Sequence, residues 1–87
     1  MTTLRRTGLW LDAAVGDEIL MMHVETGRFM SLNETASVLW KRLETPASED
    51  DLASELVASF EVSPEAARCD VAAFVEAVAK EGAVEQS

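Results

Sequence analysis

Residues 27–40 read GRFMSLNETASVLW, and the hydrophobic period of this stretch changes in its middle. Before Asn33 the pattern alternates: Met30 and Leu32 fall on one face of an extended chain, Phe29 and Ser31 on the other. After Asn33 it becomes helical, with Ala36, Leu39, Trp40 and Leu43 at i, i+3, i+4 and i+7. Asn33 is suited to cap a helix, because its side-chain oxygen can accept from an unpaired N–H of the first turn. One residue therefore ends a strand and starts a helix, with no loop between them.

Working backward, DEILMMHVETGRFMSL reads as a β-hairpin. Leu20, Met22 and Val24 share one face of its first strand and Ile19, Met21 and His23 the other. Thr26-Gly27 is expected to form a two-residue turn, with Gly27 supplying a positive φ. Both faces carry apolar residues, which predicts a cover on each. Upstream, GLWLD is expected to add a third strand, followed by a loop at AAVGD.

Working forward, Pro46 in ETPAS ends the first helix, and Ser48 with Asp51 three residues on forms a capping-box pattern for a second. That helix should turn Leu52, Leu56, Val57 and Phe60 inward. Ser63 and Pro64 start a third helix, which carries Val71, Phe74, Val75 and Val78 on one stripe and has Gly82 where a C-terminal cap belongs. The order is three strands and then three helices. This predicts an α+β fold of winged helix-turn-helix type, with a three-stranded antiparallel sheet followed by three helices.

Eighty-seven residues point to one domain over 1–87, since a chain this short buries only roughly 60–65% of its unfolded surface and cannot divide it between two cores. The net charge is −9 and unevenly spread. Residues 1–48 hold six acids against five bases, while residues 49–87 hold ten acids against Arg68 and Lys80. Such a C-terminal half repels a phosphate backbone and speaks against nucleic-acid binding, including by a winged-helix reading head. No run approaches the ~18 apolar residues of a membrane span, and MTTLRRTGLWLD lacks the form of a signal peptide. A cytoplasmic protein with no membrane partner is expected.

Candidates for chemistry are few. His23 is the only histidine, lies within a strand and has no partner implied by spacing, so a structural or surface role is expected. Cys69 is the only cysteine and has no ligand-spaced neighbour, which excludes an internal disulfide and a zinc site made by this chain. Glu49, Asp50 and Asp51 read as first-turn charges complementing a helix dipole. No Gly-rich phosphate loop is present. The expectation is a protein without catalytic residues, metal or cofactor. Its Met-rich apolar inventory and the unprotected strand Arg28 to Leu32 suit capture of an extended peptide by strand addition.

Gly27, Leu32-Asn33 with Ala36 after it, Leu56 and Phe60, and Asp70-Val71 followed by Phe74, Val78 and Gly82 together make the chain similar to the PqqD family, the RiPP recognition elements, over about residues 9–85. The resemblance implies a non-catalytic protein that binds the leader segment of a ribosomally made precursor peptide and presents it to modifying enzymes. By position it assigns the leader to a strand at Arg28, Phe29, Met30, Ser31 and Leu32 and a helix wall at Asp70, Val71 and Phe74. Asp70 is expected to take a positive charge from the leader or from Arg28. Within the family, the chain most resembles the stand-alone leader-binding proteins of lasso-peptide clusters, which work with a separate leader peptidase and a cyclase. Relatives that serve radical SAM enzymes are the alternative.

Overall fold

The computed structural model describes residues 2–86. The chain forms β1 (Thr3–Arg6), β2 (Trp10–Val15), β3 (Glu18–His23), β4 (Phe29–Leu32), α1 (Glu34–Arg42), β5 (Ala47–Ser48), α2 (Glu49–Ser59), α3 (Pro64–Lys80) and β6 (Val84–Gln86). It is an α+β fold with antiparallel strands and three helices, as the pattern predicts. The strands form two sheets, ordered β2-β3-β4 and β5-β1-β6.

The second sheet has no counterpart in the sequence reading. Its strands are four, two and three residues long. Leu4 faces Ala47 on one side, and Arg6 faces Val84 on the other. Leu4 is completely buried, with Ala47 and Val84 beside it in the core.

Two turns also differ from expectation. AAVGD is not a loop: Ala13 to Val15 continue β2, and Gly16-Asp17 make the tight turn, with Val15 opposite Glu18 and Gly16 at φ 65°. A glycine with positive φ at the first turn position matches the twist of a two-residue hairpin. The β3–β4 connection is longer than two residues, because His23 pairs across to Arg28 and leaves Val24 to Gly27 as the loop. The His23 imidazole Nδ1 accepts from the backbone N–H groups of Glu25 (3.1 Å) and Thr26 (3.3 Å), which stabilises this wider loop. Gly27 does adopt a positive φ, 73°. The only histidine is thus a turn cap, packed edge-on against Trp10 at 5.1 Å.

The helix signals match. The Asn33 side chain accepts from Ala36 N–H at 2.9 Å, and the buried Ser37 hydroxyl donates to the Leu32 carbonyl at 3.1 Å, locking strand to helix. Ser48 and Asp51 form a reciprocal capping box, and Ser63 caps α3 with Pro64 in its first turn. At the other end of α3, Gly82 N–H donates to Ala79 O and Ala83 N–H to Val78 O, the Schellman arrangement. In α2, Leu52, Ala53 and Leu56 are buried and Phe60 packs half-buried against the core at the C-cap, as expected except that Val57 is exposed.

The two hydrogen bonds with Ser48 hold the Asp51 carboxyl below its usual pKa. A depressed folded value means this capping contribution is complete above the ordinary aspartate range of about 4 and is lost as pH falls through the folded value. Asp51→Asn should therefore flatten the acid limb of the stability profile between those two values, as measured by urea melts at stepped pH. An unchanged acid limb would contradict the assignment.

Arg6 ties the two sheets to α1. Its guanidinium lies 4.1 Å over the Trp40 ring, donates to the Trp40 carbonyl and meets Asp12 at 3.4 Å, while Trp40 Nε1–H donates to Asp12 at 2.6 Å. Burial pushes the Arg6 pKa down, and the Asp12 and Glu44 carboxylates oppose that shift. Arg6→Met keeps the aliphatic stem but removes these contacts, and should cost about 1–2 kcal/mol in denaturant melts.

Candidate functional site

The main-chain hydrogen bonds of the hairpin locate an open edge. β4 is the last strand of its sheet, so one side has no partner strand. His23 N–H donates to the Arg28 carbonyl, and the register then runs Met22–Phe29, Met21–Met30, Leu20–Ser31 and Ile19–Leu32. Bonded and non-bonded pairs alternate in an antiparallel ladder. Met30 and Leu32 therefore direct their main-chain groups at β3, and Phe29 and Ser31 direct theirs at the open edge. Side chains alternate too: Leu32 is buried, Met30 half-buried, and Phe29 and Ser31 exposed.

The open edge faces α3 across a gap. α3 packs on α2 and β6, whereas β4 packs on β3 and α1. At the far end of β4, an open depression of about 300 Å³ lies between α1 and α3, lined by Asn33, Thr35, Ala36, Leu39, Asp70, Ala73 and Phe74. Phe74 supplies apolar surface with the fully buried Leu39 behind it, the alanines leave room, and Asp70 is exposed at the rim.

At the near end, Arg28 Nη2 lies 2.9 and 3.2 Å from the two carboxylate oxygens of Glu81. The Glu81 carbonyl accepts from Trp10 Nε1–H at 3.1 Å, and the Gly82 carbonyl accepts from the Thr7 hydroxyl at 2.6 Å. These bonds hold the C-terminus of α3 against the base of the β-sheet. Strand and helix are thereby tied at this end and open toward the depression at the other.

Of the residues singled out from sequence, Phe29, Ser31, Asp70 and Phe74 border the edge or the depression. Met30 and Leu32 contribute side chains to the core side of the sheet. Val71 is 1% exposed and belongs to the core, so it backs the wall rather than lining it. Arg28 pairs with Glu81, which removes one of the two partners expected for Asp70. Sequence reasoning missed Glu81 and Trp10 at one end, and Thr35, Leu39 and Ala73 at the other. Only the helical spacing of Ala73 with Asp70 could have placed it on the same wall. Among the described residues, no group of three or more His, Cys, Asp or Glu side chains could hold a metal ion. No helix among them is long and apolar enough to cross a membrane.

Two solved structures share this fold. One is TbiB1 in complex with the TbiA(beta) leader peptide, at 22% identity and TM-score 0.84 over 93% of this chain and 94% of that one. The other is a lasso peptide synthetase B1 complexed with the leader peptide, at 25% identity and TM-score 0.80 over 94% and 96%. No curated protein matches the chain. The model of the coenzyme PQQ synthesis protein D family matches residues 18–84, which run from the start of β3 through α3 and into β6 and so include both walls of the gap. With most of its length, β4 and α3 included, inside that match, the chain belongs to the PqqD family.

Proposed function

We propose that this protein captures the leader segment of a ribosomally made precursor peptide and delivers the precursor to the enzymes of lasso-peptide maturation, a leader peptidase and a cyclase. The observation that carries this reading is the open edge of β4, held a gap away from α3. An extended peptide could add there as a fourth strand. Its main chain would bond with the outward groups of Phe29 and Ser31, and one apolar side chain would enter the depression beside Ala36 and Phe74. The two leader-peptide complexes of similar fold support the choice of ligand. The protein takes no part in bond making; it raises the local concentration of precursor at the enzyme, in the cytoplasm, as a single domain without cofactor or metal.

Asp70 sits at the rim with Arg28 engaged elsewhere, so its carboxylate is available to a donor or a positive charge on the leader. Asp70→Asn should weaken leader binding by about 1 kcal/mol, roughly fivefold, in a fluorescence titration. Equal affinity would assign Asp70 to the solvated helix face. The proposal as a whole is tested by titrating a labelled leader peptide, from the precursor encoded with this chain, into the purified protein. Saturable binding at a one-to-one ratio is expected, and its absence would overturn the reading.

A further inference from the structure

The β2-β3-β4 sheet has a second open edge, on β2, and this strand carries none of the usual protections. Leu11 to Glu18 are all exposed, and β2 is the outermost strand on its side. Val24 N–H donates to the Leu9 carbonyl, so along β2 the odd-numbered residues bond to β3. Trp10, Asp12 and Ala14 therefore direct their main-chain groups outward. Edge strands are normally blunted by lysine, proline, a bulge or a covering element. WLDAAV has no lysine or proline, and its pairing runs without a bulge to Val15 opposite Glu18. Its one charge, Asp12, is already taken by Trp40 Nε1–H and Arg6, which removes the feature a basic strand would read.

The residues of this edge complement a second copy of themselves. In antiparallel pairing about a two-fold axis, outward groups must meet outward groups, so even-numbered residues pair with even-numbered ones. An axis at Ala13 sets Asp12 opposite Ala14 of the second copy, and Leu11 opposite its Val15, each pair occurring twice. Leu11 and Val15 are 58% and 66% exposed, on the sheet face turned away from the core. The pairing brings these two apolar side chains together across the new ladder. Asp17 falls beside Leu9 of the second copy, so no acid on this strand meets an acid. An axis at Asp12 would oppose two carboxylates, and one at Ala14 would set Leu11 against Asp17.

We infer that the protein self-associates through β2, as a two-fold dimer whose sheet runs unbroken through six strands. The two β4 edges lie at its opposite ends and stay open. A net charge of −9 on each copy opposes association at long range. The paired strand is only six residues long, which places the contact in the weak class, below about 1,200 Å². The dimer therefore forms at high protein concentration and tightens with salt, which screens the repulsion.

Sedimentation equilibrium of the whole protein tests this. A monomer–dimer equilibrium is expected, with a dissociation constant that falls as salt is raised to about 0.5 M. Ala13→Lys makes the net charge less negative yet sets two ammonium groups face to face across the axis, and should weaken the dimer about fivefold or more. Ala13 is exposed, and circular dichroism should show the variant folded. The register is read by cysteine cross-linking in a Cys69→Ser background, which removes the exposed native thiol. Ala13→Cys should form an intermolecular disulfide on oxidation, because a non-hydrogen-bonded antiparallel pair sets its Cα atoms about 4.5 Å apart. Ala14→Cys should not. A wild-type protein that stays monomeric at every concentration and salt would overturn the inference. So would full dimerisation of Ala13→Lys, or cross-linking of Ala14→Cys in place of Ala13→Cys.

Discussion

Ser31→Pro is expected to reduce leader binding by about 2–3 kcal/mol, roughly 30- to 150-fold, and to leave the domain folded. Ser31 directs its N–H at the open edge, so a proline there removes a donor that no other strand of the domain uses. The pyrrolidine ring also fills the space an incoming strand must occupy. Edge positions of this orientation are where sheets tolerate proline. Met30→Pro, one residue away, is expected to behave oppositely. Its N–H is directed at β3, opposite Met21, and its side chain packs against the core, so the substitution should destabilise the domain by about 3 kcal/mol or more. Thermal melts and leader titrations on the two variants separate the effects. Loss of folding in Ser31→Pro with retention in Met30→Pro would mean that the register is shifted by one residue.

The second large effect is predicted for a residue far from the edge. Leu4→Ala should lower stability by about 3 kcal/mol, within the range for buried leucines that leave a cavity. In a domain of this size that corresponds to a fall in Tm of about 12–24 °C. Leu4 is fully buried, and its strand is the centre of the β5-β1-β6 sheet, so the N-terminal segment is part of the core rather than an extension of it. Its consequences reach the binding site through Thr7, which follows β1 and bonds the chain around Gly82. A change in Tm of only a degree or two would show that the second sheet contributes little.

These two residues differ in how readable they were. Ser31 lies in a stretch whose signals are all local: alternation through Phe29 to Leu32, the Asn33 cap, and the period of Ala36, Leu39 and Trp40. The caps at Ser48, Ser63 and Gly82 are of the same kind, each set by a side chain or a glycine acting within one helical turn. Leu4 is different. Its strand has one buried apolar residue and no visible alternation, and it forms only because Ala47 and Val84, distant in sequence, arrive on either side. No window of sequence contains that pairing.

The errors at the turns have a similar origin. Thr26-Gly27 has the composition of a two-residue turn, but the His23 imidazole provides an acceptor for two loop amides and makes the longer loop favourable. At the site, the strand and Phe74 were readable from pattern and resemblance. The Arg28–Glu81 pair was not, since it joins residues more than fifty apart and the nearer carboxylate in the pattern was Asp70. The uncovered sheet face was visible as sequence only in the form of too many apolar residues. What leaves it open is the placement of all three helices on the opposite side, where Ile19, Met21 and Leu32 join the core.

Hydrogen exchange with and without leader peptide tests the central claim most directly. The leader should slow exchange at the amides of Phe29 and Ser31, with those of Met30 and Leu32 already slow in the free protein because they are directed at β3. Protection instead at Asp12 and Ala14, whose main-chain groups are directed at the other free edge of the same sheet, would place the leader on β2 and contradict the account.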